Sequence, residues 1–257
     1  MKRRSWALWA AAGFGYAFLY VPLIIVIVYS FNDSRLNAEW VGFTWHWYEV
    51  LFADEQMLTA AWNSLIIGVS ASAVSTVLGT MAGVALYKYK LRLLPILVLT
   101  PSAIPEILMG VSLLIFFVLL NVTLGMLSIT LAHIAFCIGF VAIVVRSRLS
   151  GMDESLTEAA RDLGATQWQA FRLVTLPLIM PGIVAGALMA FTLSIDDFVI
   201  TFFTAGVDAT TLPLQIYSMI KIAVTPEVNA VSTLLMVVTL LLIVIASRLS
   251  PGALRGE

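Results

Sequence analysis

EAARDLGATQWQAFRLVTLPLIMP, residues 158–181, is a polar stretch in a chain of 61% hydrophobic and 11% charged residues. Glu158, Arg161, Asp162 and Arg172 fall within fifteen positions of it. The spacing predicts two short helices. Ser155 to Glu158 has the S-x-x-E interval of a capping box, and Thr166 to Gln169 has the related T-x-x-Q interval. Gly164 lies between them, where a helix C-terminus favours a residue that tolerates positive φ. Pro177 and Pro181 then punctuate the way into the next apolar run.

The surroundings of that stretch are apolar. Mean hydropathy is +1.00, and several runs exceed the ~18 residues that mark a membrane span, so the fold class is an all-α polytopic membrane protein. A formal net charge of −1 and the lack of a basic patch give no footing for nucleic acid. The single cysteine, Cys137, lies in an apolar run and offers neither a disulfide nor a thiolate pair. His46 and His133 stand apart from each other, so no zinc set is present. His133 reads better as a packed, hydrogen-bonded side chain than as a ligand.

Six spans are expected: 6–30, 61–87, 93–120, 127–145, 178–203 and 230–246. The first follows Lys2, Arg3 and Arg4. At about 25 residues it is too long for a signal-peptide core, and no small-x-small cleavage site follows. Trp40, Trp45, Trp47 and Tyr48 suit a membrane interface, with a short helix around 45–52. Gly79 and Gly83 form a GxxxG pair, either for close packing against another span or as a tolerated pair in a helix of small residues. Pro95, Pro101 and Pro105 should break or kink the third span near its middle. An amphipathic helix is expected around 212–224. The inner side receives Lys2, Arg3, Arg4, Lys88, Lys90, Arg92, Arg146, Arg148, Arg161, Arg172, Arg248 and Arg255, against Arg35 and Lys221 outside. That asymmetry places both termini and the 158–181 stretch in the cytoplasm.

With that topology, the stretch resembles the EAA loop of ABC-importer permeases, E-A-A, three residues, G, then a run ending in L-P. Glu158, Ala159, Ala160, Gly164, Leu176 and Pro177 fall in place. The resemblance implies a coupling helix, with Asp162 on it, that docks in a cleft of an ATPase subunit. No GxxxxGK[ST] phosphate loop occurs in the chain. Leu149, Ser150 and Gly151 begin like an ABC signature, but Met152 and Asp153 depart from it. ATP and Mg would therefore be bound by separate partner chains, with no cofactor and no catalytic residue here.

Carboxylates inside spans are costly and mark function. Glu106, Asp196 and Asp197 qualify. Straight helices would put Glu106 roughly 20 Å, and Asp196 roughly 25 Å, from the inner ends of their spans. Adjacent residues point about 100° apart on a helix, so one aspartate faces the pathway and the other a neighbouring helix. No Lys or Arg in the spans neutralises them, which suits a cationic substrate. The alternatives stay open: Asp197 as a helix-packing hydrogen bond, and Glu106 as relief for backbone groups left by Pro101 and Pro105. Tyr217 could face an amine through its ring or anchor the interface.

Four stretches narrow the resemblance: YVPLIIVIVYSFNDS (20–34), SRLSGMDESLTEAARDLGAT (147–166), FTLSIDDFVITFFTAG (191–206) and LPLQIYSMIKIAVTPEVNA (212–230). They are similar to polyamine (spermidine/putrescine) ABC importer permeases, of the second-subunit type. That family implies a type I importer fold in a bacterial inner membrane. It also implies a heterodimer with another permease, two ATPase subunits and a periplasmic binding protein. The chain would be one permease domain over 1–257, with its core at about 58–250 and the coupling loop at about 150–177. Alternatives are an importer for another organic cation, an amino-acid derivative or ferric ion, and a secondary transporter. The latter lacks the internal repeat expected of it. A membrane enzyme lacks any clustered nucleophile, base or metal set.

Overall fold

A computed structural model describes residues 6–34, 39–89, 92–222 and 225–249. The expected charges Lys2, Arg3, Arg4, Arg35, Lys90 and Arg255 lie outside the described residues. Two compact units are formed, one from Met1–Leu58 with Gln215–Leu240, the other from Thr59–Leu214 with Leu241–Glu257. Among the described residues all regular structure is helical, apart from one isolated β-bridge between Asn32 and Phe43.

The first unit starts with α1 (Trp6–Tyr29), apolar on every face and with no buried residue in its most apolar window. A helix of that kind sits in lipid or against another chain. A turn anchored on buried Asn32 follows. Asn32 Nδ2 donates to the Glu39 carbonyl at 2.7 Å, its Oδ1 accepts from Val41 N–H at 2.8 Å, and its carbonyl accepts from Trp47 Nε1 at 2.8 Å. Around it Phe31 packs on Phe43, Trp45 and Tyr48, with ring centroids 4.9–5.3 Å apart. This cluster orders the aromatic loop and seats α2 (His46–Ala53).

The second unit is built around α6. Its elements are α3 (Glu55–Lys88), α4 (Leu93–Ala103), α5 (Glu106–Leu119), α6 (Met126–Ser150), α7 (Ser155–Asp162), α8 (Gln167–Ala170), α9 (Leu176–Ile195) and α10 (Val199–Thr204). The chain ends with α11 (Leu212–Ile222) and α12 (Pro226–Leu249). Ala132, Phe136, Cys137, Val141, Val145 and Leu149 run along α6 and are buried. Apolar lipid tails compete with apolar side chains, so helix association here rests on close packing. Gly79 and Gly83 supply it. A Cβ at Gly79 would lie 2.6 Å from that of Val141, and one at Gly83 would lie 2.8 Å from the Ala142 carbonyl. The GxxxG pair therefore packs α3 against α6.

Among the described residues four helices are long and apolar enough to cross a membrane, and α4 with α5 makes a fifth if counted as one span. The sixth expected span, 230–246, falls within α12 (Pro226–Leu249), and its last residues have side chains outside the described ones. The expected break in the third span is present and is a bend of 106°. Ile104 is extended (ψ 138°) because the following proline disfavours the helical region, and Pro105 then caps α5. The straight-helix depth for Glu106 does not survive that bend. The fifth span also differs from expectation. It is interrupted at 196–198, and at its other end it runs without a break from the hairpin, as Gln167–Ile195. Pro177 and Pro181 do not separate the two. A π turn at Phe171–Thr175, in which Leu176 N–H reaches back to the Phe171 carbonyl, shifts the register just before Pro177, which has no N–H to give.

Substituting Gly79→Leu should overpack the α3–α6 contact by about 1–3 kcal/mol. The check is a lower melting temperature of the purified transporter. Gly13→Ala, with nothing within 4 Å of the added Cβ, should leave it unchanged.

Candidate functional site

The interruption at 196–198 contains no proline and no glycine, so the chain must hold it by side chains. Asp197 does part of this. Its carboxylate accepts from Ile200 N–H at 3.0 and 3.1 Å and from Thr201 N–H at 3.4 Å, taking up amides at the start of α10. His133, on α6, does the rest. Its Nδ1 is 2.7 Å from Ser194 Oγ in the last turn of α9, and its Nε2 is 3.0 Å from Thr201 Oγ1 in the first turn of α10. Asp197 Oδ2 lies 3.6 Å from the same Nε2. The imidazole and Asp197 side chains are 2% and 7% exposed. The other end of α10 is fastened to α6 too, where Ser128 Oγ donates to the Thr204 carbonyl at 2.8 Å.

Asp196 turns the other way and is exposed. Glu106, the first residue of α5, is exposed as well. A carboxylate suits that position at the positive end of a helix. α5 lies along α10 at short range: a Cβ at Gly110 would meet the Phe203 ring at 2.7 Å. Glu106 stands one turn before Gly110 on α5. The three acids named from sequence thus lie at two helix breaks whose following helices, α5 and α10, pack on each other. One aspartate faces outward and the other turns to its neighbours, though the cause is a break in the helix and not the 100° step of a continuous one. His133 is packed and hydrogen-bonded as expected, but sequence reasoning missed its contact with Asp197, which leaves no local signal. The Asp197 cap had one, an aspartate three residues ahead of Ile200.

Tyr217 belongs to the first compact unit, with Lys221 Nζ 5.2 Å over its ring. Its aromatic face is already engaged by an ammonium of its own helix.

The hairpin of 155–170 is largely as expected. Gly164 has φ +92°, and the two bonds of a Schellman turn surround it: Gly164 N–H to the Arg161 carbonyl at 2.9 Å and Ala165 N–H to that of Ala160 at 3.0 Å. The Thr166–Gln169 capping box is formed, with bonds of 2.7 and 3.3 Å. The Ser155–Glu158 box is not. Asp153 takes the Ser155 N–H at 3.0 Å instead, and hydrogen bonds from Ser155 hold the Asp153 carboxyl below its usual range. Glu158, Ala159 and Asp162 are exposed and Ala160 is half-buried. Apolar side chains also point outward, Leu163 at 90% and Trp168 at 66% exposure. Behind the hairpin lies a cavity of about 250 Å³ lined by Tyr87, Leu149, Met152, Glu154, Glu158 and Phe171, among others. There Tyr87 Oη, near the end of α3, donates to Glu154 Oε1.

Residues 75–252 match the family described as binding-protein-dependent transport system inner membrane component. The chain is 42% identical over 245 residues to the spermidine/putrescine transport system permease protein PotC of Escherichia coli (strain K12), covering 94% of this chain and 93% of that one. It is also 42% identical over 232 residues to the putrescine transport system permease protein PotI of the same strain, covering 86% and 83%. In fold it is similar to a chain of a bacterial ABC transporter involved in alginate import, with a TM-score of 0.75 over 97% of this chain and 96% of that one, at 19% identity.

Tyr87→Phe removes the tie between α3 and the start of the hairpin. A bond of about 1 kcal/mol corresponds to about fivefold faster deuterium exchange at the amides of α7. Exchange at wild-type rates would show that this tie carries no strain from one element to the other.

Proposed function

The chain belongs to the family of binding-protein-dependent transport system inner membrane components, and on that footing we propose that it is one of two permease chains through which an ATP-driven importer passes polyamines. A member of this family is a transport subunit of the inner membrane and not an enzyme. The observation that carries the substrate class is the placement of Glu106, Asp196 and Asp197 at two helix breaks whose following helices pack together through Gly110 and Phe203. Negative groups within apolar segments call for a cation, and a polyamine carries its charges at intervals along an apolar stem. Glu106 and Asp196, being exposed, would contact the substrate. Asp197, turned to the α10 amides, would hold the geometry. The permeases PotC and PotI, which this chain resembles, carry spermidine/putrescine and putrescine in their names.

In this proposal the chain is a single transmembrane domain of six crossings with both termini in the cytoplasm. The distribution of Lys and Arg supports that orientation. The partners would be a second permease chain, two ATPase subunits and a periplasmic binding protein. The hairpin with Glu158, Ala159, Ala160, Asp162 and Gly164 would dock on an ATPase subunit. Its outward Leu163 and Trp168 suit burial against a protein. Closure of the ATPase pair would then push the hairpin, and Gln167–Ile195 would carry the displacement as one rod of roughly 40 Å to the acidic break. Alternating access follows if that rod tilts against α6. Each step needs only binding, charge neutralisation and rigid-body motion from this chain.

The test is uptake of radiolabelled spermidine and putrescine by cells carrying the complete transporter. Asp196→Asn and Glu106→Gln should each lower uptake about tenfold or more at unchanged amounts of chain in the membrane. Wild-type uptake in both variants would overturn the assignment of the route.

A further inference from the structure

A helix that stops inside a membrane needs a reason to stop, and Ile195-Asp196-Asp197-Phe198 supplies none through proline or glycine. The Asp197 carboxylate takes up amides of α10, but it makes no bond to α9 that would set the direction in which α10 departs. His133 bonds to both sides of the break. Nδ1 meets Ser194 in the last turn of α9, and Nε2 meets Thr201 in the first turn of α10, with Asp197 Oδ2 on the same side of the ring. In either tautomer one ring nitrogen donates and the other accepts, so both hydroxyls are held by the one ring. The ring comes from α6, an unbroken helix whose other buried side chains face the same neighbours. One turn further along α6, Cys137 Sγ contacts the Ala190 carbonyl of α9 at 3.6 Å. At the opposite end of α10, Ser128 holds the Thr204 carbonyl. α10 therefore has two fixed points on α6, and the one at His133 is shared with α9.

We propose that His133 is a positioning residue for translocation, fixing the angle between α9 and α10 and thereby the direction in which Asp196, beside Glu106, faces the cation. The proposal rests on the reading of Asp196 and Glu106 as the route of a cationic substrate. His133 itself touches no substrate, since it is buried behind the break. A side chain that only filled space would affect assembly. One that aims a carboxylate affects the concentration of substrate needed for uptake. Loss of the clamp lets α10 swing, so Asp196 meets the substrate in fewer of its orientations, while the rod to the hairpin and the ATPase-driven step remain.

The experiment measures KM and Vmax for labelled spermidine in cells carrying the complete transporter, with Vmax normalised to assembled complex. His133→Ala should raise KM about tenfold with Vmax within about twofold, the size of effect seen when a group that orients a binding residue is removed. His133→Gln, which keeps a donor and an acceptor, should recover most of the loss. A wild-type KM in His133→Ala, or a fall in Vmax and assembly with KM unchanged, overturns the proposal. Where His133→Ala does not assemble, Ser194→Ala and Thr201→Val decide. A raised KM in both supports the clamp, and a wild-type KM in either overturns it. Asp196→Asn, measured alongside, separates the two levels. Unchanged uptake in Asp196→Asn means the acidic route itself is wrong, whereas impaired uptake there with wild-type KM in His133→Ala rejects the clamp alone.

Discussion

A bilayer offers no water to a backbone group that has lost its helical partner. This chain breaks helices within its apolar segments at 104–105 and again at 196–198, and at the second break the amides that open α10 are met by a side chain. Asp197 serves the amides that α10 would otherwise leave open, and His133 joins the flanking turns. His133 comes from α6, which runs from Met126 to Ser150 without interruption and carries more than half of the core cluster around it. α5 lies against α10 through Gly110, which ties the two acid-bearing breaks to each other. Without α6, the turns flanking the second break would lose the ring that joins them.

In the proposed cycle the same constraint would let a polar hairpin act at a distance. α8, the π turn and α9 form one continuous helix from Gln167 to Ile195. Its lower end is held in the hairpin by the Thr166–Gln169 box, and its upper end stops at Asp196. The Schellman turn at Gly164 sets α7 against α8, and Tyr87 adds a tie from α3. A displacement of the hairpin has no slack segment in which to dissipate before it reaches the break. The π turn before Pro177 makes that continuity possible, because it places the proline where a missing N–H costs no additional bond.

Much of this was legible in the residues. Apolar runs gave the helices, GxxxG gave a close helix pair, Gly164 gave a positive φ, and Pro105 gave the first break. The three acids were identified by the cost of charge in lipid. What stayed hidden had common physical causes. The second break has no proline or glycine, because a side-chain cap and a histidine from another helix hold it, and long-range partners leave no local pattern. The run through Pro177 was hidden because proline normally ends a helix, and only a register shift several residues earlier compensates. The Ser155 capping box failed because Asp153 offered a closer acceptor two residues upstream. Tyr217 was chosen for its ring, and the chain places its own Lys221 over that ring.

The central claim is that this chain conducts a cation past its acidic break only when an ATP-consuming partner moves the hairpin. Proteoliposomes holding the complete transporter, with binding protein and labelled spermidine outside and ATP inside, test it most directly. The account predicts accumulation against a gradient with ATP, and none when the ATPase subunits are left out. Accumulation by the permease chains alone, or ATP-dependent uptake that an uncharged solute of the same length matches, would contradict it.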